Sequence, residues 1–176
     1  MATLDDVNDI IAAFLVAATD ALALTDAGPP GRIYTSAGRP ALDCCGQLTA
    51  WAQTLADAPS ASDPGGLASS MRPRKLGAVP VLGIYIQATR CAPTPRNTGG
   101  QIALSDPADL AATSRMTSQD IWALWNHLNS ELKDGTLAEI CKGAWRDGAT
   151  AIEGQGGCVG WEIVYRYPLE GGLLAT

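Results

Sequence analysis

The sequence has few of the residues on which catalysis and metal binding usually depend. Its 176 residues include one histidine, His127, and its five cysteines form no CxxC pair. A histidine-rich metal site or a nucleophile–base pair would have to use that single imidazole. The chain also has no GxxxxGK[ST], GxSxG or HExxH motif. These absences disfavour an enzyme and predict neither a cofactor nor a metal.

Long hydrophobic runs and positive charge are scarce as well. The longest apolar run, Ile10 to Ala18, is too short to span a membrane, and no basic residue precedes Arg32 as a secretory signal would require. We therefore expect a protein that folds in a cytoplasm and has no membrane partner. The net charge of -6 argues against tight wrapping of nucleic acid. An acidic pore could still let DNA slide past.

The remaining composition is that of a folded domain. Hydrophobic residues make up 47% of the chain and charged residues 17%, which is enough apolar material for a core. The length suits a single domain covering residues 1–176. Patternless stretches rich in turn-forming residues predict long loops near 56–75 and 92–104.

Two segments have the apolar periodicity of helices. The first carries a stripe at three- and four-residue steps and ends at the glycines and prolines of 28–31. Its members are Val7, Ile10, Ile11, Phe14, Ala18 and Leu22. The second runs from about 106 to 133, and its stronger part begins near Thr117, which has capping-pair spacing to Asp120. Its predicted buried face consists of Ile121, Leu124, Trp125, Leu128 and Leu132.

The segments between and after these helices favour strands. We predict strands over 32–36, 44–55, 76–91, 144–153 and 159–167, the last two forming a hairpin. In the second of them Leu48, Ala50 and Ala52 alternate with Gln47, Thr49, Trp51 and Gln53. The order of elements predicts an α+β fold. Its sheet would be mainly antiparallel, with about four to five strands and two main helices on one face.

The single histidine has two interpretations. His127, Glu131 and Asp120 share one face of the second helix, so a carboxylate–histidine dyad is conceivable. The simpler interpretation is a solvated helical face with an i,i+4 contact.

The cysteines also leave alternatives. Cys44 and Cys45 are adjacent in a strand, so they point to opposite faces and cannot easily bind one metal. A zinc site drawing on Cys91, Cys141 and Cys158 would need three distant segments to converge. We interpret the thiols as small buried side chains. The alternative is a Cys141–Cys158 disulfide that forms after release from the cell.

Two groups of residues point to contacts with other proteins. The chain has five tryptophans and one phenylalanine. Three tryptophans, Trp122, Trp125 and Trp145, are predicted to lie in the core. Trp51 and Trp161 lie on alternating strands and could serve either the core or an interface. A basic cluster lies at the end of the first long loop and consists of Arg72, Arg74 and Lys75. It could be solvated, or it could contact an acidic partner or the passing DNA.

Four short landmarks occur in a particular order along the chain. They are Asp43-Cys44-Cys45-Gly46-Gln47-Leu48, Arg90-Cys91-x-Pro93, Trp122-Ala123-Leu124-Trp125-Asn126 and Gly156-Gly157-Cys158-x-Gly160-Trp161. In order and spacing they resemble the tail terminator (tail completion) proteins of long-tailed actinobacterial phages, which belong to the siphovirus neck. The resemblance covers roughly Arg32 to Tyr167.

The resemblance implies a structural virion protein without catalytic, cofactor or metal residues. Such a subunit forms a ring, a hexamer, that caps the head-proximal end of the tail tube and stops its polymerisation. Its implied partners are its own copies, the major tail tube protein, the head–tail stopper and the genomic DNA that passes through the lumen. Its location would be the tail–neck junction of the virion, with the host cytoplasm during assembly. The alternatives are another neck component, such as a stopper or minor tail protein, and a small host-directed binding module.

Overall fold

A computed structural model of the protein describes residues 4–42, 46–57, 80–98, 101–155 and 157–169. Its helices are α1 (Leu4–Ala23), α2 (Pro107–Asp134) and α3 (Thr136–Ile140). Its strands are β1 (Arg32–Thr35), β2 (Gln47–Asp57), β3 (Pro80–Cys91), β4 (Arg96–Thr98), β5 (Gln101–Ala103), β6 (Trp145–Gln155) and β7 (Cys158–Pro168). Over these ranges no helix combines the length and the hydropathy needed to cross a membrane.

Five strands form one mixed sheet in the order β1-β2-β3-β7-β6. The β1–β2 pair is parallel and the other three pairs are antiparallel, with β6 and β7 joined as the predicted hairpin. The α+β fold, with a sheet of four to five strands and two main helices, is therefore confirmed.

The core lies between the helices and one face of the sheet. The apolar stripe predicted for α1 is buried, and Phe14 is fully enclosed with its ring centroid 5.0 Å from that of Tyr165 on β7. From α2, Leu124 and Leu128 enter the same cluster. Burying a large apolar side chain contributes about 1.5–3 kcal/mol. This helix-to-sheet contact therefore makes a large contribution to stability.

Along β2 and β3, the second face of the sheet is also buried. Because β1 and β2 are parallel neighbours, the chain between them must return along the sheet. On this return, Arg39 reaches Glu162 on β7 at 3.2 Å, and the carbonyl of Ala41 accepts a hydrogen bond from Gln47 at 3.0 Å. The described part of the connection, 36–42, therefore lies over the second face, and its Arg39 side chain reaches β7.

Helix α2 covers the region predicted as helical, about 106–133, as one continuous helix. The carboxylate of Asp106 accepts a hydrogen bond from the Ala108 amide at 2.8 Å, and a proline follows in the first turn. The start of a stronger part predicted near Thr117 is wrong, because that hydroxyl bonds back to the carbonyl of Thr113 at 3.1 Å inside a continuous helix.

The predicted loops are also shorter than expected. Residues 92–104, predicted as a loop, contain the β4–β5 hairpin. Strand β2 continues through Ala56 and Asp57, so it occupies the start of the loop predicted over 56–75. The rest of that loop, and the start of the strand predicted from residue 76, lie outside the described residues.

Candidate interaction surfaces

A buried ion pair joins three segments at one end of the sheet. Arg90, at the end of β3, donates to both carboxylate oxygens of Asp120 on α2, at 2.8 and 3.0 Å. The same guanidinium donates to the carbonyl of Gly28, in the turn between α1 and β1, at 2.5 Å. Both charged side chains are almost fully enclosed. We call these three residues the Arg90 clamp.

The first half of α2 extends beyond the core. A helix of 28 residues is about 42 Å long, whereas an 11-residue strand spans roughly 36 Å. Its buried residues begin only at Asp120, so residues 107–119 bury no side chain completely. Together with the end of β3 and the α1–β1 turn, this half forms an open groove of about 600 Å³, lined among others by Cys91, Arg115 and Met116.

Several large apolar side chains face solvent. Trp122 on α2 is 63% exposed and Trp145 at the start of β6 is 41% exposed, so the prediction that both lie in the core is wrong. Trp122 follows Ile121 by one position and so turns away from the buried stripe. Trp125 is half-buried, and the Arg146 guanidinium lies 3.0 Å from its ring centroid. The other exposed large apolar side chains are Val16, Leu24, Ile33, Leu104, Leu110 and Ile140.

The two tryptophans predicted for core or interface differ in their environment. Trp51 is fully buried on the second face of the sheet, where its ring stacks on that of Tyr85 at 5.3 Å. Trp161 is half-buried on β7. The basic cluster of Arg72, Arg74 and Lys75 lies outside the described residues.

The two carboxylates considered for a dyad with His127 are engaged in other contacts. Asp120 belongs to the Arg90 clamp, and Glu131 accepts a hydrogen bond from the Thr136 amide at 2.9 Å. Neither carboxylate is bonded to His127 in the described part of α2. The capping pair predicted for Thr117 and Asp120 is wrong, because the spacing of Asp120 to Leu124 and Leu128 places it on the buried stripe inside α2. An acid at such a position signals a buried basic partner.

The described cysteines are not joined in a disulfide. Cys141 lies in the core beside α3, where burial raises the pKa of its thiol to about 11. Cys158, at the start of β7, is buried and lies opposite Cys91, which is exposed, so the prediction of buried thiols is wrong for Cys91. Cys44 and Cys45 lie outside the described residues, and among the described ones no group of three or more His, Cys, Asp or Glu could hold a metal.

The second face of the sheet carries a row of buried polar side chains. Thr49, Gln87 and Glu162 are neighbours across β2, β3 and β7. Within the described structure, the side-chain amide nitrogen and oxygen of Gln87 have no hydrogen-bond partner. The hydroxyl of Thr49 has none there either. A buried polar group without a partner costs about 1–3 kcal/mol. Among the described residues, no hydrogen bond offsets the cost of burying these polar atoms.

We expect Gln87→Met to raise the free energy of unfolding by about 1–2 kcal/mol, because it removes two unpaired polar atoms at nearly constant volume. Urea unfolding followed by tryptophan fluorescence measures the change. The matched control is Gln47→Met, since Gln47 is equally buried but bonded to Tyr34 and Ala41. In that control the free energy of unfolding should fall by about 1–3 kcal/mol. Equal losses in both variants would contradict the assignment of Gln87 as unpaired.

Comparison of the sequence with models of known protein families and with curated proteins finds no match. The assignment of function therefore depends on the landmarks of the sequence and on the surfaces described above.

Proposed function

We propose that the protein is a ring-forming tail terminator of a long-tailed phage. In this role it caps the head-proximal end of the tail tube, stops polymerisation of the tube and joins the tail to the head-completion proteins. It acts by binding other proteins and its own copies, and not as an enzyme. The ring is a hexamer with DNA passing through its lumen.

The observation that carries the proposal is the exposed Trp122 within the Trp122–Asn126 landmark. A tryptophan that is 63% exposed on a rigid helix is of little use to an isolated subunit. Tryptophan is, however, enriched among the residues that dominate binding energy at the centres of protein interfaces.

A second surface on a different part of the subunit supports the same role. A head-to-tail ring needs two different complementary patches on each copy. The projecting residues 107–119 and the adjoining β4–β5 hairpin offer a surface separate from Trp122. Leu104, which is 85% exposed, and Leu110 provide apolar contacts there. The protein thus has candidate surfaces for both sides of a ring contact.

The test compares Trp122→Glu with the unchanged chain. Wild-type protein is expected to form rings, alone or on purified tail tubes, in negative-stain images and by light scattering. Trp122→Glu should reduce the ring population at least about tenfold, because a buried interface charge without a partner costs several kcal/mol. Its melting temperature should stay unchanged, since the side chain faces solvent.

The matched control is Ser130→Glu, which adds the same charge at another exposed position of α2. It should leave both ring formation and melting temperature unchanged. Wild-type protein that never forms rings, even with tail tubes present, would overturn the proposal. Rings that persist in Trp122→Glu would show only that this tryptophan is not part of the interface.

Further measurements separate the alternatives. Cross-linking within virions distinguishes a terminator, which contacts the tail tube protein, from a stopper. The protein content of purified particles identifies a host-directed module, which would be missing from them. His127→Ala should leave assembly intact. Loss of assembly with unchanged folding would instead favour a role for the histidine.

A further inference from the structure

We propose that Cys91 and Cys158 form a redox-sensitive site that closes as a cross-strand disulfide when the protein leaves a reducing environment. The inference concerns strands β3 and β7 and does not depend on the proposed function. It differs from the Cys141–Cys158 pairing considered from the sequence.

The register places the two residues directly opposite each other. Cys91 pairs with Cys158 at the end of the antiparallel β3–β7 ladder. The amide of the next residue, Ala92, donates to the carbonyl of Gly157 at 2.6 Å. Since hydrogen-bonded and non-hydrogen-bonded pairs alternate along such a ladder, Cys91 and Cys158 form a non-hydrogen-bonded pair.

That type of pair suits a disulfide. Opposite residues in an antiparallel ladder direct their side chains to the same face. In a non-hydrogen-bonded pair their Cα atoms are about 4.5 Å apart. Disulfides join Cα atoms that are roughly 4.4–6.8 Å apart. The two thiols can therefore bond without a change in strand register.

The two thiols differ in access, which defines an order of reaction. Cys91 is exposed at the groove beside α2, whereas Cys158 is buried. With a small disulfide such as oxidised glutathione, the Cys91 thiolate attacks one sulfur and releases one glutathione thiolate. The Cys158 thiolate then attacks the Cys91 sulfur of the mixed disulfide and releases the second. One oxidised glutathione is thus reduced to two thiols as the two cysteines are oxidised.

The bond would close a long segment of the chain. Residues 92–157 lie between the two cysteines and include α2, α3 and β6. A cross-link that encloses a long loop stabilises the fold, mainly by restricting the unfolded chain. For a chain of this size we expect the melting temperature to rise by on the order of 10 °C.

Tryptic mapping tests the pairing directly, because the relevant cysteines fall in different peptides. Cys91 lies in peptide 91–96, Cys158 in 147–166 and Cys141 in 134–142, while Cys44 and Cys45 share peptide 33–74. The full chain is incubated with oxidised glutathione or with dithiothreitol, alkylated and digested. Oxidised protein should yield 91–96 linked to 147–166, and reduced protein should yield both peptides alkylated.

Variants separate the bond from general effects of oxidation. Cys91→Ser changes an exposed side chain, so it should fold normally but lose the linked peptide and the rise in melting temperature. Cys141→Ser should keep both, because the Cys141 thiol is buried in the core. Recovery of peptide 91–96 only as a glutathione adduct, or linked to another cysteine or another chain, would overturn the proposal. A linked peptide without a rise in melting temperature would overturn its stabilising effect.

Discussion

Asp120→Ala is expected to lower the free energy of unfolding by about 3–5 kcal/mol. The substitution leaves the Arg90 guanidinium buried with the Gly28 carbonyl as its remaining described partner. A buried charge that loses its counter-ion costs more than the lost hydrogen bonds alone. Urea unfolding followed by circular dichroism gives the change, with Asp109→Ala as the exposed control on the same helix.

The ion pair itself contributes less than that loss suggests. Replacing both partners, in Arg90→Met with Asp120→Leu, should bring stability back to within about 1–2 kcal/mol of wild type, because no unpaired charge remains. Since each single substitution, Arg90→Met or Asp120→Leu, should cost about 3–5 kcal/mol, their double-mutant cycle should give a coupling energy of at least about 4 kcal/mol. If the loss in the double variant equalled the sum of the two single losses, water would have to solvate each remaining charge in the single variants. That result would contradict the enclosed geometry of the Arg90 clamp.

The Arg90 clamp also shows what the sequence could and could not predict. Asp120 lies four residues before Leu124 and eight before Leu128, so helical spacing alone places it on the buried face. Its partner, however, lies 30 residues earlier in the chain, at the end of another element. The spacing therefore predicts that Asp120 needs a basic partner, while only the packing of α2 against β3 identifies Arg90.

Where alternation is strong, the sequence predicts to which face of the sheet each side chain points. It does not predict which parts of the chain cover that face. The alternation in β2 separated Leu48 and Ala50 from Gln47 and Thr49 correctly, because successive side chains point to opposite faces. Those polar residues are nevertheless buried. The described β1–β2 connection lies over their side of the sheet, and a path of that kind leaves no periodic signal in the sequence.

The exposure of Trp122 is harder to predict from the sequence than the fold. Aromatic residues are usually buried, and that tendency favoured a core position for Trp122 over its place beside the apolar stripe. The prediction that the stronger part of α2 begins near Thr117 has a related cause, since residues 107–119 project from the core and carry no apolar stripe to detect. Surfaces that bind partners lack the internal periodicity that core-facing segments show.

Gly160→Ala is expected to cost at least about 3 kcal/mol, because the site has no space for one additional carbon. A Cβ at Gly160 would clash with the carbonyl oxygen of Ala88 and would lie 2.8 Å from the Cα of Thr89. Both atoms belong to the backbone of β3, so no side-chain rotation can relieve the clash. The two strands, which both lie inside the five-stranded sheet, would have to separate near one end of their ladder.

Gly148→Ala in β6 is the matched control, since no atom lies within 4 Å of a Cβ at that position. It should change stability by no more than about 0.5 kcal/mol. Thermal unfolding of the two variants distinguishes a requirement for close strand approach from a general effect of replacing glycine. Because Gly160 lies two residues after Cys158, its substitution should also slow closure of the Cys91–Cys158 bond. Equal small losses in both variants would show that β3 and β7 can separate cheaply, which would contradict the role of Gly160 in holding this end of the sheet together.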